Sequence, residues 1–176
     1  MANLGINDFK SKLIGGGART NLFKVTCNFP AYAQGNVELA SFLIKAASLP
    51  ASTIAPITVP FRGRQLQVAG DRSFEPWAVS VINDNDFSLR AAFERWMNGI
   101  NAHVENTGRM DPSSYMADLA VEQLTKTGEV AKRYEIRGAW VSNVSAIDLS
   151  YDAENTIEEF GVEFQMTYWE SVDSTS

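Results

Sequence analysis

The chain has 176 residues, 45% hydrophobic and 20% charged, a composition and length that suit a globular fold with one sizeable core. Its 15 basic and 21 acidic residues leave a formal net charge of -6, which argues against a function built on gripping nucleic-acid phosphate or an anionic membrane. A single cysteine, Cys27, excludes an internal disulfide, and with the single histidine, His103, it leaves too few ligands for a zinc site and no placed nucleophile-histidine pair.

Residues 1–18 include Gly15-Gly16-Gly17, whose backbone freedom makes any fixed structure costly in entropy, so a flexible N-terminal arm is expected. The run lacks both the preceding strand and the following Lys-Ser/Thr of a phosphate-binding loop. The start also lacks the basic-then-apolar order of a secretory signal, and no apolar run approaches membrane-spanning length. A soluble protein made in cytoplasm is the expectation, and Cys27 as a small packed side chain agrees with a reducing compartment.

Residues 21–29 alternate, with Phe23, Val25, Cys27 and Phe29 on one face, and read as a strand ended by Pro30. Residues 37–47 read as a second strand. In residues 48–60, Pro50, Pro56 and Pro60 remove backbone donors and exclude a central strand. Leu49, Ile54, Ile57 and Val59 are too apolar for an idle loop there, so an extended segment that docks against something is expected. Residues 65–69 form the next alternating strand, with a turn at Gly70-Asp71, and residues 74–83 the one after, with Trp77, Val79 and Val81 on one face.

One helix is predicted at about residues 86–99, because Leu89, Phe93, Trp96 and Ile100 recur at helical spacing. Asp86 is the expected N-cap and Asn98-Gly99 the stop. A polar loop over 101–114 precedes a hairpin of residues 117–125 and 130–138, then strand or bend to residue 148. The last apolar run, residues 156–169, alternates from Phe160 to Tyr168 and is expected as one long strand and the spine of the fold. Residues 171–176 are expected to fray. The fold class is therefore mainly β and antiparallel, with one short helix, in a single domain over residues 1–176.

Nothing in this pattern demands catalysis. Asn83-Asp84-Asn85-Asp86 lacks the glycine turn and later glutamate of a calcium loop and reads as helix capping. Glu158, Glu159 and Glu163 on a flat strand face make no pocket, so a solvated acidic face is the better reading. Arg62, Arg64 and Arg72 suit ion pairing between proteins. No cofactor is expected. The residues alone lead to an all-β interaction or assembly module.

Several blocks in one order carry a resemblance: Arg19-Thr20-Asn21-Leu22-Phe23, Lys45-Ala46-Ala47-Ser48-Leu49-Pro50, Val68-Ala69-Gly70-Asp71-Arg72-Ser73-Phe74-Glu75-Pro76-Trp77, Val79-Ser80-Val81-Ile82-Asn83-Asp84, Glu135-Ile136-Arg137-Gly138-Ala139-Trp140 and Tyr168-Trp169-Glu170. Over residues 19–170 the chain resembles the tail tube proteins of contractile-tailed, T4-like bacteriophages. The resemblance implies a structural virion protein: a β-sandwich or barrel-like protomer that contributes strands to a shared inner barrel in six-membered rings stacked into a hollow tube. It further implies a sheath, a tape-measure protein, a baseplate and a tail terminator as partners, with DNA only in transit and assembly in the host cytoplasm.

On that reading Leu49, Ile54, Ile57, Val59 and Phe61 are expected between stacked rings, and Arg62, Arg64, Asp71 and Arg72 in ion pairs between subunits. Glu159, Glu163, Gln165 and Thr167 are expected to face the channel, where acidic groups would repel phosphate. The tube of a bacterial secretion or injection device shares these features. A carbohydrate-binding β-sandwich, with Trp140 and Trp169 as an exposed platform, is the alternative of a different class.

Overall fold

The computed structural model of the chain describes residues 5–13 and 16–171. Nine strands and three α-helices follow in the order α1 (Ile6–Lys12), β1 (Phe23–Cys27), α2 (Val37–Leu43), β2 (Ile44–Ala47), β3 (Ser52–Phe61), β4 (Arg64–Phe74), β5 (Trp77–Ile82), α3 (Ser88–Ile100), β6 (Ala117–Leu124), β7 (Val130–Val144), β8 (Glu159–Gln165) and β9 (Tyr168–Ser171). The mainly β, antiparallel expectation holds, with three helices in place of one. Among the described residues the main sheet is open rather than a closed barrel and runs β1-β6-β7-β8-β5-β2, with β9 also on β7.

The spine is β7, not the C-terminal run. Its first half pairs with β6 and, over Tyr134–Arg137, with β9, while its second half pairs with β8. The expected strand over 156–169 is broken at Met166 and Thr167, so β8 and β9 lie along different halves of β7. The break follows from the bend in β7 at Gly138, whose φ is +59°. Three steps of β7 from Ile136 to Ala139 match two steps of β6 from Leu119 to Ala117, a bulge that returns both Ile136 and Ala139 to the buried face. A strand pairing straight across that bend would lose register, so the chain interrupts itself and resumes.

Strict alternation places Phe160, Val162 and Phe164 of β8 and Trp77, Val79 and Val81 of β5 in the core. Val25, Cys27, Leu119, Val121 and Ile136 from the β6 side join the same hydrophobic cluster. Helix α3 closes it: Phe93 and Trp96 are fully buried, and both rings stand edge-on to Phe164 at 6.1 and 5.9 Å. Trp96 Nε1 also donates to the Tyr115 carbonyl at 2.7 Å, so its polar edge is satisfied inside.

Both expected ends of this helix differ. Asp86 caps nothing; the Asp84 carboxylate accepts from the Ser88 backbone and hydroxyl at 3.1 and 2.6 Å and from the Leu89 backbone at 3.3 Å. Phe87, in the left-handed region at φ 54°, turns the chain between them. Gly99 lies within the helix, where a Cβ would collide with the Tyr32 ring; it is a packing glycine. The predicted strand over 37–47 is half helix, because the Asn36 side chain caps α2 by accepting from the Leu39 N–H at 3.0 Å.

The N-terminal arm includes the helix α1, whose Ile6 and Phe9 are exposed, as is Leu13 just after it. Of the tail expected to fray, Ser171 is buried in β9, and residues 172–176 lie outside the described residues.

Candidate assembly surface

The proline-spaced segment is extended, as expected, and forms a strand that stays outside the main sheet. Strands β3 and β4 pair only with each other, from Ser52↔Phe74 to Phe61↔Arg64, in a long hairpin. Pro56 and Pro60 sit where a central strand would need their missing donors, so the ribbon remains two-stranded. The turn is Arg62-Gly63, with φ of 45° and 81°, the paired positive values of a tight two-residue hairpin. The turn predicted at Gly70-Asp71 is instead a bulge within β4, where Ile54↔Arg72 is followed by Pro56↔Ala69.

Pairing converts two sequence stripes into one surface. Ile57 lies opposite Val68, Val59 opposite Leu66 and Phe61 opposite Arg64, and side chains directly opposite share a face. All five apolar groups are exposed, Phe61 at 66% and Leu66 at 60%. Ile54 is exposed as well but alternates onto the other face, and Leu49 is exposed just before the ribbon. The sequence reading did not single out Leu66 and Val68, which it took only as part of an alternating strand. A contiguous apolar stripe on a ribbon without its own core marks a surface that completes itself against another molecule.

The ribbon's root is anchored. Trp169 Nε1 donates to the Ala51 carbonyl at 3.1 Å, and its ring packs edge-on to Phe74 and Tyr134. Trp77 Nε1 donates to the Ser48 carbonyl at 2.6 Å. Trp169 thus serves a structural joint rather than a sugar platform. Beyond the root, Arg62, Arg64, Asp71 and Arg72 are exposed and form no ion pair among the described residues. The Arg62 guanidinium lies 5.3 Å from the Phe61 ring centroid.

The outward faces of the two halves of the sheet differ in how their charges are paired. Around β6, Arg137 pairs with Asp118 at 2.8 Å, with Glu170 at 2.8 Å and with Glu135, while Arg133 pairs with Glu122 at 2.8 Å and Glu135 at 3.1 Å. Slight burial of the Asp118 carboxyl is outweighed by the Arg137 guanidinium and the Gly138 N–H, which hold it below its ordinary range. The sequence reading did not single out this network. On the β8 half, Glu159, Gly161, Glu163 and Gln165 point outward beside Ala78 and Ser80 of β5. Glu159 pairs with Lys45 at 2.5 Å. Thr167 is exposed in the break after β8, against Gly138.

Burial pushes the Cys27 thiol far up from its ordinary value, so it is a core side chain and not a nucleophile. Among the described residues no group of three or more His, Cys, Asp and Glu is placed to hold a metal ion, and no helix is long and apolar enough to cross a membrane.

An antiparallel β protomer with a projecting apolar ribbon and an outward face of small and acidic groups defines a structural subunit that completes itself by assembly. Residues 18–172 match the family model described as phage tail tube protein, and the chain belongs to that family. It is 33% identical over 154 residues to tail tube protein gp19 of Enterobacteria phage T4, covering 87% of this chain and 91% of that one. It is 27% identical over 175 residues to the tail tube protein of Serratia phage KSP90, covering 97% and 98%.

In fold, 91% of the chain matches 98% of a chain in the cryo-EM structure of the anti-feeding prophage baseplate, with a TM-score of 0.64 at 13% identity. A chain of the PVC extracellular contractile injection system sheath-tube complex matches at a TM-score of 0.59 and 11% identity, covering 92% and 95%. The protein is a structural subunit of the inner tube of a phage tail and a virion component.

Proposed function

We propose that the chain assembles into hexameric rings that stack into the inner tube of a contractile phage tail, a non-enzymatic conduit for DNA ejection. The observation that carries this reading is the β3–β4 ribbon, whose exposed Ile57, Val59, Phe61, Leu66 and Val68 have no partner surface in the protomer. In the tube the ribbon lies between stacked rings, with Leu49 and Ile54 beside its root. Arg62, Arg64, Asp71 and Arg72 pair with charges on neighbouring subunits. Glu159, Glu163, Gln165 and Thr167 line the channel, where carboxylates repel passing phosphate.

The phage setting is favoured over an injection device by the T4 and Serratia phage relatives. The sheath, the baseplate and the tube terminator are the partners the fold suits, by analogy with the assemblies in which its structural neighbours were determined. A tape-measure protein inside the growing tube and assembly in the host cytoplasm complete the reading.

Negative-stain electron microscopy of the purified protein tests it. Hollow rods are expected from the unaltered chain. Ile57→Asp and Leu66→Asp should each abolish rods while leaving the circular dichroism spectrum unchanged, because both side chains are solvent-exposed in the protomer. Normal rods from both variants would remove the ribbon from the interface between rings.

A further inference from the structure

We infer that the tip of the β3–β4 ribbon docks on the acidic connection between β7 and β8, residues 145–158, of a second copy in the next ring; this inference rests on the tube reading above. The connection is unusual for what it joins. Strands β7 and β8 are antiparallel neighbours, which two to five residues suffice to link, and longer connections are commonly functional. It exposes Leu149 at 79%, Tyr151 at 107% and Ile157 at 67%. Those groups stand among Asp148, Asp152 and Glu154, which have no cation partner among the described residues. An open groove of about 520 Å³ lies there, lined by Ile147, Leu149, Ala153, Ile157, Glu158 and Glu159 among others.

The charge of the two surfaces is complementary. From Gly138 onward the sequence contains no lysine, arginine or histidine, so the connection has no internal counter-charge nearby in the chain. The ribbon tip is the reverse: Phe61-Arg62-Gly63-Arg64 offers an exposed ring flanked by two guanidiniums, with no acidic residue between Ser52 and Val68. Arg62 holds a left-handed turn position that Asn, Asp or Gly fills at less cost. Such tolerated strain accords with a side chain kept for contact.

Topology places the ribbon root and the acidic connection at opposite ends of one half of the sheet. The ribbon feeds β5 at Trp77, which lies beside Phe164 at the end of β8, whereas the acidic connection feeds β8 at Glu159, beside Ile82 at the end of β5. In a head-to-tail stack that runs along β5 and β8, the connection end of one copy faces the ribbon root of the next. The 10 residues of β3 reach about 33 Å at roughly 3.3 Å per residue, further than the six-residue β5 spans. Contacts between unlike patches on identical subunits propagate as an open, polar polymer.

Charge reversal tests the pairing. R62E/R64E and D152K/E154K should each cut the pelletable rods at least about tenfold, with unchanged melting of the protomer. A one-to-one mixture of the two variants should restore rods, since every reversed tip then finds a reversed connection in the next ring. Rods from either variant alone, or no recovery on mixing, would overturn this docking while leaving the tube reading intact. Absence of rods from the unaltered chain would sink that reading and this inference with it.

Discussion

Asp84 and Asp86 carry the same carboxylate two positions apart, yet only Asp84 caps helix α3, because Phe87 turns left-handed and sends the chain back over it. Partial burial disfavours the Asp84 charge, but hydrogen bonds from the Ser88 hydroxyl and the Leu89 and Ser88 N–H groups outweigh it and hold the pKa below its ordinary value. A depressed folded-state pKa means that the unfolded chain binds the proton first as pH falls. The stabilisation is complete above the ordinary carboxylate range and is lost as pH drops through the depressed value. Asp84→Ala should therefore cost about 1 kcal/mol at neutral pH, the usual worth of a cap. Chemical denaturation should show that deficit shrinking as the pH is lowered below the ordinary value. An equal deficit at every pH would place the effect in packing instead. The spacing of Leu89, Phe93 and Trp96 made the helix legible, but a single left-handed residue, which no side-chain pattern announces, decided which aspartate caps it.

At the scale of elements, period-two alternation was a faithful guide to which face is buried and a poor one to where a strand stops. Phe160, Val162 and Phe164 are inward as expected, while the same alternation continued to Tyr168 concealed the break that separates β8 from β9. The cause lies far away in sequence, in the bulge at Gly138. Likewise the alternation over 42–47 drew residues 37–43 into the same strand, and the Asn36 cap and the burial of Ala40 against the core select the helix instead. The bulge itself is testable. Gly138 has φ +59°, and an added Cβ would stand 2.6 Å from Thr167 Oγ1. Gly138→Ala should destabilise the protomer by roughly 1–3 kcal/mol, the usual cost of a strained backbone position. Adding Thr167→Ala removes the closest contact, leaving the Thr167 Cβ position at 3.3 Å, but not the unfavourable φ, so the double variant should recover only part of that loss in thermal melts. Full recovery would show that crowding, and not the backbone, makes glycine necessary.

At the scale of the molecule, the two outward faces of the sheet present different surfaces to a partner. The β6 half ties its carboxylates into one network, with Arg133 and Arg137 bridging Asp118, Glu122, Glu135 and Glu170. The β8 half carries small groups, Ala78, Ser80 and Gly161, beside Glu159 and Glu163, with Lys45 pairing Glu159 at its margin. A channel wall suits what the second face has: little relief to catch a moving polymer, and at Glu163 a negative charge with no cation partner among the described residues. If this face lines the tube, charge added there acts on passage and not on assembly. Glu163→Lys should leave protomer stability within about 0.5 kcal/mol, as for most surface substitutions, and rods should form normally. Repeated around every ring, the same substitution turns repulsion into attraction, and electrostatic effects on rates of this kind reach tenfold and more. Virions carrying it should look intact in the microscope yet eject DNA roughly tenfold more slowly at low salt, with the defect easing as salt screens the charge. Normal ejection would turn the β8 face away from the channel; a failure to form rods would place Glu163 at a subunit contact.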